Sequence, residues 1–289
     1  MKYTESYSGV WKFDSGAPGA TVAIFGGTHG DEVSGVAAVE KLLAELSSDT
    51  LELRKGVLVL VRSNEEAIRA GKRYLKHNLN RLFKDEYGEH IDRASYEFKR
   101  AEDLKRVLDE SEYFLDLHSA PIAEEPFLIT EAKPLQFFRN LGIRRVITGW
   151  AKFSSGLIGG DAENYVNNRG GLAATLESGA HRDPGAAEVA YCASRSVLFA
   201  LDMTNACDGL HYHGKTDVYD MYGVQHKRAD DFSYVGTPQN FTFFPKGSAF
   251  AYEMGKPLVV HEDSYLLIPL KPEETKIGEE ICYLGRRIS

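Results

Sequence analysis

The sequence predicts an α/β fold: a mixed, mostly parallel sheet flanked by helices, with a smaller C-terminal β domain. Two observations on residues 21–205 favour the α/β part. Short apolar runs alternate there with longer stretches in which apolar residues recur every three or four positions. A third observation concerns residues 211–289, which are aromatic, β-branched and interrupted by Gly and Pro, without long helical periodicity. We therefore predict an α/β domain over residues 1–210 and a β-rich domain over residues 211–289.

The predicted strands are rich in Val, Ile, Leu and Phe and alternate little, as expected for a sheet covered on both faces. In chain order they are TVAIF (21–25), VLVLV (57–61), YFLDL (113–117), FLIT (127–130), RVIT (145–148) and LAATLES (172–178). Helical spacing marks Val33–Leu46, Arg93–Glu110 and Ala186–Met203. Proteins with such sheets bind substrates and cofactors at the carboxyl ends of the strands. Polar residues near those ends are therefore the first candidates for a functional site.

Composition excludes several classes of protein. The chain has 289 residues, 43% hydrophobic and 26% charged, which is ordinary for a soluble globular protein. Its net charge of −8 argues against nonspecific nucleic-acid binding. No apolar run approaches the ~20 residues that span a bilayer, and the N-terminus does not resemble a secretory signal. Three scattered cysteines fit a reduced, cytoplasmic protein. Oligomeric state is not readable, and a homo-oligomer stays open.

The stretch AIFGGTHGDE (23–32) carries the strongest chemical signal. It leads from an apolar strand through a glycine-rich turn to His29 and Glu32, three residues apart. An imidazole and a carboxylate at that spacing can bind one metal ion, for which zinc is well suited. The rival interpretation, a nucleotide-binding loop, lacks both GxGxxG and GxxxxGK[ST]. A GxSxG motif for an activated serine is also missing.

Two further strand ends supply the rest of a catalytic metal site. His118, just past the predicted strand in FLDLHSA, is the candidate third ligand, and Asp116 is placed to orient an imidazole. Two histidines and one glutamate would leave an open coordination position, which is typical of catalytic zinc. Glu177 in AATLESGAH is the candidate general base. His181, four residues later, is expected in a turn.

A basic loop provides candidates for substrate binding. RYLKHNLNR (73–81) contains Arg73, Asn80 and Arg81. The planar fork of arginine fits a carboxylate with two parallel hydrogen bonds. Without the metal motif, a solvated basic loop would be the better interpretation.

Together these motifs resemble the succinylglutamate desuccinylase/aspartoacylase family, zinc-dependent deacylases related in fold to the zinc carboxypeptidases. GGTHGDE, RY-x4-LNR, DLHSA and LESG follow each other in the family's order over roughly residues 21–180. The resemblance implies one Zn²⁺ held by His29, Glu32 and His118, with Glu177 as general base. It also implies that Arg73 polarises the scissile carbonyl and that Asn80 and Arg81 hold a substrate carboxylate.

The chain also departs from the aspartoacylase pattern. Those enzymes carry an arginine before the base strand, and Arg169 in NNRGG is two residues out of register with it. Arg169 therefore enters the prediction as a substrate-binding candidate. They also contribute a tyrosine near the C-terminus, and PLKPEETKIGEE contains none. These departures leave open which acyl group and amino acid the substrate contains.

We therefore expect a zinc-dependent hydrolase that cleaves the amide bond of a small, carboxylate-bearing N-acyl substrate. Three alternatives remain. A metallocarboxypeptidase would use the same site on small peptides, and an esterase would use it on an easier leaving group. A catalytically silent metal-binding protein would need neither Glu177 nor Arg73, so the presence of both counts against it.

Overall fold

The architecture follows from a computed structural model, which describes residues 3–120, 125–153, 160–181, 183–205 and 215–289. Its main element is a 12-stranded mixed sheet. Strands β1 to β8 are Thr4–Tyr7, Val10–Asp14, Thr21–Gly26, Val57–Arg62, Tyr113–Ala120, Phe127–Thr130, Arg145–Thr148 and Leu172–Ala180. Strands β9 to β15 are Asp217–His226, Ser233–Tyr234, Thr242–Phe244, Ala249–Glu253, Lys256–Val259, Ser264–Leu267 and Glu280–Arg287.

Helices cover both faces of this sheet. Helices α1 to α6 are Val33–Ser47, Glu65–Ala70, Tyr96–Asp109, Ala132–Phe138, Ala162–Asn168 and Pro184–Ala200, and two 3₁₀ turns span Leu79–Arg81 and Trp150–Phe153. None of the described helices is long and apolar enough to cross a membrane.

The centre of the sheet is parallel, and its strands are buried from both sides. Strands β4, β3, β5 and β8 run parallel in that spatial order. In β3, Val22 and Ile24 pack into the core beneath α1 and α6, whereas Ala23 and Phe25 pack into the core that includes residues of α3 and α5. Two apolar faces explain why this strand reads as a continuous hydrophobic run.

The six predicted strands and three predicted helices are all present, and four strands and all three helices have shifted ends. Strands 127–130 and 145–148 match their predictions. Strand β5 continues to Ala120 and β8 to Ala180, so His118 lies within its strand rather than just past it. His118 therefore occupies a sheet position, whereas His29 and Glu32 lie in the loop between β3 and α1. The short helices α2, α4 and α5 and the N-terminal strands β1 and β2 were not predicted.

The C-terminal strands continue the main sheet. The spatial order of its strands is β1-β2-β4-β3-β5-β8-β6-β7-β9-β15-β14-β11. Strand β9 pairs with β7 in parallel and with β15 antiparallel, so it joins the α/β part to the β-rich part. Strands β10, β12 and β13 form a separate three-stranded sheet. The predicted boundary at residues 210/211 falls outside the described residues, and the division into two domains stays a prediction.

Candidate metal centre and substrate cavity

The loop between β3 and α1 and the strand β5 bring His29, Glu32 and His118 together. His29 Nδ1 lies 2.8 Å from Glu32 Oε1, and His118 Nδ1 lies 2.9 Å from Glu32 Oε2. All three side chains are buried, and their ligand atoms lie within 4.8 Å of one another. Both imidazoles therefore present the same nitrogen to one carboxylate. Two nitrogens and a carboxylate oxygen at this spacing fit the donor set of a catalytic zinc ion.

A polar side chain lies close to the Nε2 atom of each histidine. His118 Nε2 lies 3.0 Å from Asp116 Oδ2, and the other Asp116 oxygen accepts a hydrogen bond of 2.8 Å from the Thr28 hydroxyl. His29 Nε2 lies 3.1 Å from Asn78 Oδ1. When Nε2 of each ring carries the hydrogen, Nδ1 keeps its lone pair for a metal. Asp116 is thus confirmed beside a histidine, whereas sequence reasoning did not single out Asn78.

Burial and charge set the protonation of the three groups. Burial lowers the pKa of His29 and outweighs the attraction of Glu32. Burial alone would raise the pKa of Glu32, but the two histidines hold it well below its usual range. For His118 burial acts to lower the pKa, and Asp116 and Glu32 together raise it well above the ordinary value. These shifts favour a Glu32 carboxylate beside a protonated His118, and a bound cation would take the place of that positive charge.

Glycines make the first ligand loop tight enough to aim both ligands inward. A Cβ on Gly26 would lie 2.3 Å from the carbonyl oxygen of Gly35, and one on Gly30 would lie 2.2 Å from the carbonyl carbon of Ala67. Gly27 has φ +73°, a conformation that glycine adopts without strain. The motif therefore allows α1 to pack against β3 with Glu32 at the N-cap of the helix.

Glu177 lies on the strand next to that of His118. In the parallel pairing of β5 with β8, His118 is directly opposite Glu177 and Asp116 is opposite Thr175. Adjacent strands are about 4.8 Å apart, so this pairing holds the carboxylate next to the histidine. His118 and Glu177 line a cavity of about 170 Å³. The other residues that line it are His29, Arg73, Asn80, Arg81, Ile129, Trp150, Asp161, Glu163, Thr175, Ile268, Leu270, Glu280 and Tyr283.

The basic loop contributes three predicted residues to the same cavity. The guanidinium of Arg73 donates to Glu32 Oε1 over 3.0 Å, with about half of its side chain exposed. Arg81 Nη1 donates to the carbonyl oxygen of Asn80 over 2.7 Å. Asn80 Oδ1 accepts from the amide of Ala162 over 3.2 Å, which ties this loop to the start of α5. Backbone anchoring thus holds the loop against the cavity.

Arg169 is placed elsewhere, which corrects the expectation that it binds substrate. Its guanidinium forms ion pairs with Asp85 at 2.9 Å and Asp109 at 3.3 Å, and it stacks 3.5 Å above the ring of Tyr165. It lines a separate surface depression on α3 and α5. The two-residue offset from the aspartoacylase pattern turns this side chain away from the candidate ligands.

Tyr283 and Glu163 line the cavity and were missed by the sequence analysis. Tyr283 comes from β15 and donates a hydrogen bond to Glu280. It is buried in the core, and it also lines the cavity wall. Glu163 comes from α5, a helix of 7 residues that is too short to show a periodic pattern. His181 lies in the predicted turn, with Nδ1 2.8 Å from the Ser119 hydroxyl.

Comparison with known proteins gives a family match for most of this region. The family model for the succinylglutamate desuccinylase/aspartoacylase catalytic domain matches residues 18–191. Those residues contain every candidate ligand, the candidate base and the basic loop. A succinylglutamate desuccinylase of Shewanella piezotolerans is 26% identical over 271 residues, covering 83% of this chain and 75% of the relative.

Solved structures show that the fold is shared over nearly the whole chain. A succinylglutamate desuccinylase from Vibrio cholerae superposes with a TM-score of 0.76 at 20% identity, covering 96% of this chain and 85% of that one. The succinylglutamate desuccinylase of Chromobacterium violaceum gives a TM-score of 0.72 at 20% identity, covering 99% and 92%. The likeness therefore extends into the C-terminal strands.

Proposed function

Because the chain belongs to the succinylglutamate desuccinylase/aspartoacylase family, we propose that it is a zinc-dependent hydrolase of small N-acyl amino acids. The family consists of deacylases. What we propose beyond this is that the metal is zinc, that the bond is an amide, and that the substrates are small N-acyl amino acids. The observation that carries it is the pairing of His118 with Glu177 across β5 and β8, which sets a carboxylate beside the buried His29–Glu32–His118 cluster.

The buried cluster of two histidines and one glutamate is better explained as a set of metal ligands than as ordinary core residues. Histidines and a carboxylate that are buried together need a charge or a network of hydrogen bonds to offset their desolvation. Their Nδ1 and Oε atoms converge, while Asp116 and Asn78 lie beside the Nε2 atoms of the two imidazole rings. A zinc ion held there would act as a Lewis acid on the scissile carbonyl and make water a nucleophile near neutral pH.

The residues of the chain then have separate roles in amide hydrolysis. Glu177 removes a proton from the attacking water and returns it to the departing amine. Arg73 donates hydrogen bonds to the carbonyl oxygen as negative charge develops there. Asn80 and Arg81 bind a substrate carboxylate and thereby bring the reacting carbonyl to Glu177. Arg73 contacts Glu32 in this structure, so its guanidinium already lies at the candidate metal centre.

The size of the cavity favours small substrates over peptides. Cavities for drug-sized ligands measure roughly 300–1,000 Å³. The cavity here measures about 170 Å³, which suits a single amino-acid conjugate. This supports an N-acyl amino acid as substrate ahead of the metallocarboxypeptidase alternative, and it leaves an ester of the same size as an acceptable substrate.

Glu177→Gln tests the proposed reaction. The amide cannot accept a proton, so we expect kcat to fall by about 10²–10⁴-fold while the zinc content is unchanged. Hydrolysis would be measured with a panel of N-acyl amino acids, and bound zinc by elemental analysis. Glu188→Gln, the same change on the exposed surface of α6, serves as the matched control and should retain wild-type activity.

Two results would refute parts of this proposal. Near wild-type turnover of Glu177→Gln would remove that residue from the role of base. A wild-type protein that binds one zinc ion and hydrolyses no member of the panel, whether amide or ester, would instead favour a metal-binding protein without catalysis.

A further inference from the structure

Glu163 is a buried carboxyl group in the wall of the proposed catalytic cavity. Glu163 is only 2% exposed, yet it lines the cavity together with Arg81 and Glu177. Within the described part of the chain, no lysine or arginine forms an ion pair with it. Burying an uncompensated carboxylate is costly, and proteins retain such groups mainly where they have a task.

The partners of Glu163 are neutral donors. The Thr175 hydroxyl donates to Oε2 over 3.2 Å, and the amide nitrogen of Asn167 donates to Oε1 over 3.3 Å. The side-chain oxygen of Asn167 accepts from the amide of Ala173 over 2.9 Å, which fixes its NH₂ toward Glu163. Both contacts are long for hydrogen bonds to a carboxylate, which prefer shorter distances. They orient the carboxyl group without bringing a positive charge to it.

Other acidic groups surround Glu163 and work against its ionisation. Burial raises its pKa well above the ordinary value, and Asp161, Glu131 and Asp116 raise it further. These carboxylates belong to the N-caps of α5 and α4 and to β5. The Thr175 hydrogen bond opposes the shift without reversing it. A cation delivered by a ligand would meet a local field that favours it strongly.

Glu163 lines the same cavity as Asn80 and Arg81, the proposed carboxylate-binding residues, and Glu177, the proposed base. Asn80 accepts a hydrogen bond from Ala162, the residue before Glu163. Thr175 and Glu177 lie two residues apart in β8, so their side chains emerge on the same face about 6.6 Å apart. An amino acid whose carboxylate is bound by Asn80 and Arg81 would therefore present its side chain to Glu163.

We propose that Glu163 selects substrates whose amino-acid half carries a positively charged side chain. The substrate class is then an Nα-acyl derivative of a basic amino acid, with its carboxylate on Arg81 and its ammonium group on Glu163. This inference rests on the proposed function, since it assigns the amino-acid half of the same substrate. It differs from the acidic amino acid named in succinylglutamate desuccinylase relatives.

The direct test compares matched substrates. Nα-acetyl-L-ornithine and Nα-acetyl-L-norleucine have side chains of equal length, with an ammonium group in one and a methyl group in the other. We expect kcat/KM to be at least tenfold higher for the ornithine derivative, with Nα-acetyl-L-glutamate the poorest of the three. In Glu163→Gln the ornithine-to-norleucine ratio should fall by about 10–100-fold, as for a lost hydrogen bond to a charged group.

Two control variants locate the effect. Glu188→Gln changes an exposed carboxylate outside the cavity and should keep the wild-type ratio. Glu280→Gln changes another carboxylate of the cavity wall, which is already bonded to Tyr283. A ratio that falls in Glu280→Gln but not in Glu163→Gln would overturn the assignment.

Thermal unfolding gives a readout that does not depend on turnover. A folded-state pKa above the unfolded value means that ionising Glu163 destabilises the fold, and this penalty grows as pH rises above the ordinary glutamate range. Glu163→Gln should therefore raise Tm by roughly 2–4 °C at pH 8, with the difference narrowing toward pH 5. An unchanged or lower Tm at pH 8 would contradict an uncompensated carboxylate.

Binding separates this inference from the proposed reaction. Ornithine and norleucine, the free products, would be titrated by calorimetry into Glu177→Gln and into Glu177→Gln combined with Glu163→Gln. Tighter binding of ornithine that requires Glu163 supports the inference even if no substrate is hydrolysed. Equal binding of both, or faster hydrolysis of the norleucine or glutamate derivative, refutes it while leaving the deacylase proposal intact.

Discussion

At the scale of single residues, the candidate metal centre depends on which ring nitrogen of each histidine carries a hydrogen. Asp116 lies 3.0 Å from His118 Nε2, and its other oxygen is held by Thr28. Asn78 has the corresponding place at His29 Nε2. These contacts leave Nδ1 of both rings directed at Glu32. The centre is thus preorganised by groups that would not themselves touch a metal.

Asp116→Asn should weaken zinc binding while preserving the shape of the site. The new amide keeps an oxygen for Thr28 but places an NH₂ group at His118 Nε2, which favours the tautomer that has its hydrogen on Nδ1. That hydrogen blocks the coordinating nitrogen, so we expect zinc affinity to fall by about 10–100-fold. Competition with a chelating dye would measure the change.

Asp85→Asn provides the comparison for that measurement. Asp85 is largely exposed and pairs with Arg169 outside the cavity. The zinc affinity of the Asp85→Asn protein should therefore equal that of the wild type. Equal zinc affinity in Asp116→Asn and wild type would show that Asp116 does not orient His118.

At the scale of elements, the first ligand loop works because β3 and α1 approach each other closely. Gly26 ends β3, and its α-carbon faces the backbone of Gly35 in the first turns of α1. This contact fixes where α1 begins and hence where Glu32, at its N-cap, directs its carboxylate. The glycine motif therefore has a packing role in addition to allowing a tight turn.

Gly26→Ala should push β3 and α1 apart. Its Cβ would lie 2.3 Å from the Gly35 oxygen, which belongs to backbone and cannot rotate away. We expect a loss of about 1–3 kcal/mol in the free energy of unfolding, together with weaker zinc binding because Glu32 moves with the helix. Chemical denaturation and zinc titration would measure the two effects.

Gly223→Ala is the matched glycine substitution. Gly223 lies in β9, where an added Cβ would make an ordinary contact of 3.7 Å with Leu284. Its unfolding free energy and zinc affinity should change much less than in Gly26→Ala. Similar losses in both variants would mean that the close approach at Gly26 does not position Glu32.

At the scale of the whole molecule, the sequence predicted the centre of the fold better than its edges. The apolar runs of β3, β4, β5 and β8 reflect burial on both faces, a property that local sequence records directly. Four short motifs located the candidate ligands, the candidate base and the basic loop, and three of the four lie at the end of β3 or within β5 and β8. The family match and the α/β fold confirm the predicted family and fold class.

The rest depended on long-range contacts that no local pattern encodes. Pairing of β9 with β7 extends the main sheet into the C-terminal strands, and no local pattern in the sequence records that contact. A glutamate in a short polar helix would be expected at the surface. In the folded chain α5 packs against β8, and Glu163 is buried. Tyr283 reads as a core residue because its neighbours are apolar, and only the folded sheet brings it to the cavity.

Metal removal and replacement test the central claim, zinc-dependent hydrolysis by the site built on β3, β5 and β8, most directly. The wild-type protein would be stripped with a chelator and assayed on Nα-acyl amino acids during titration with zinc. We predict that hydrolysis is lost on stripping and returns in full at one equivalent of zinc per chain. Undiminished hydrolysis by the stripped protein would contradict the account.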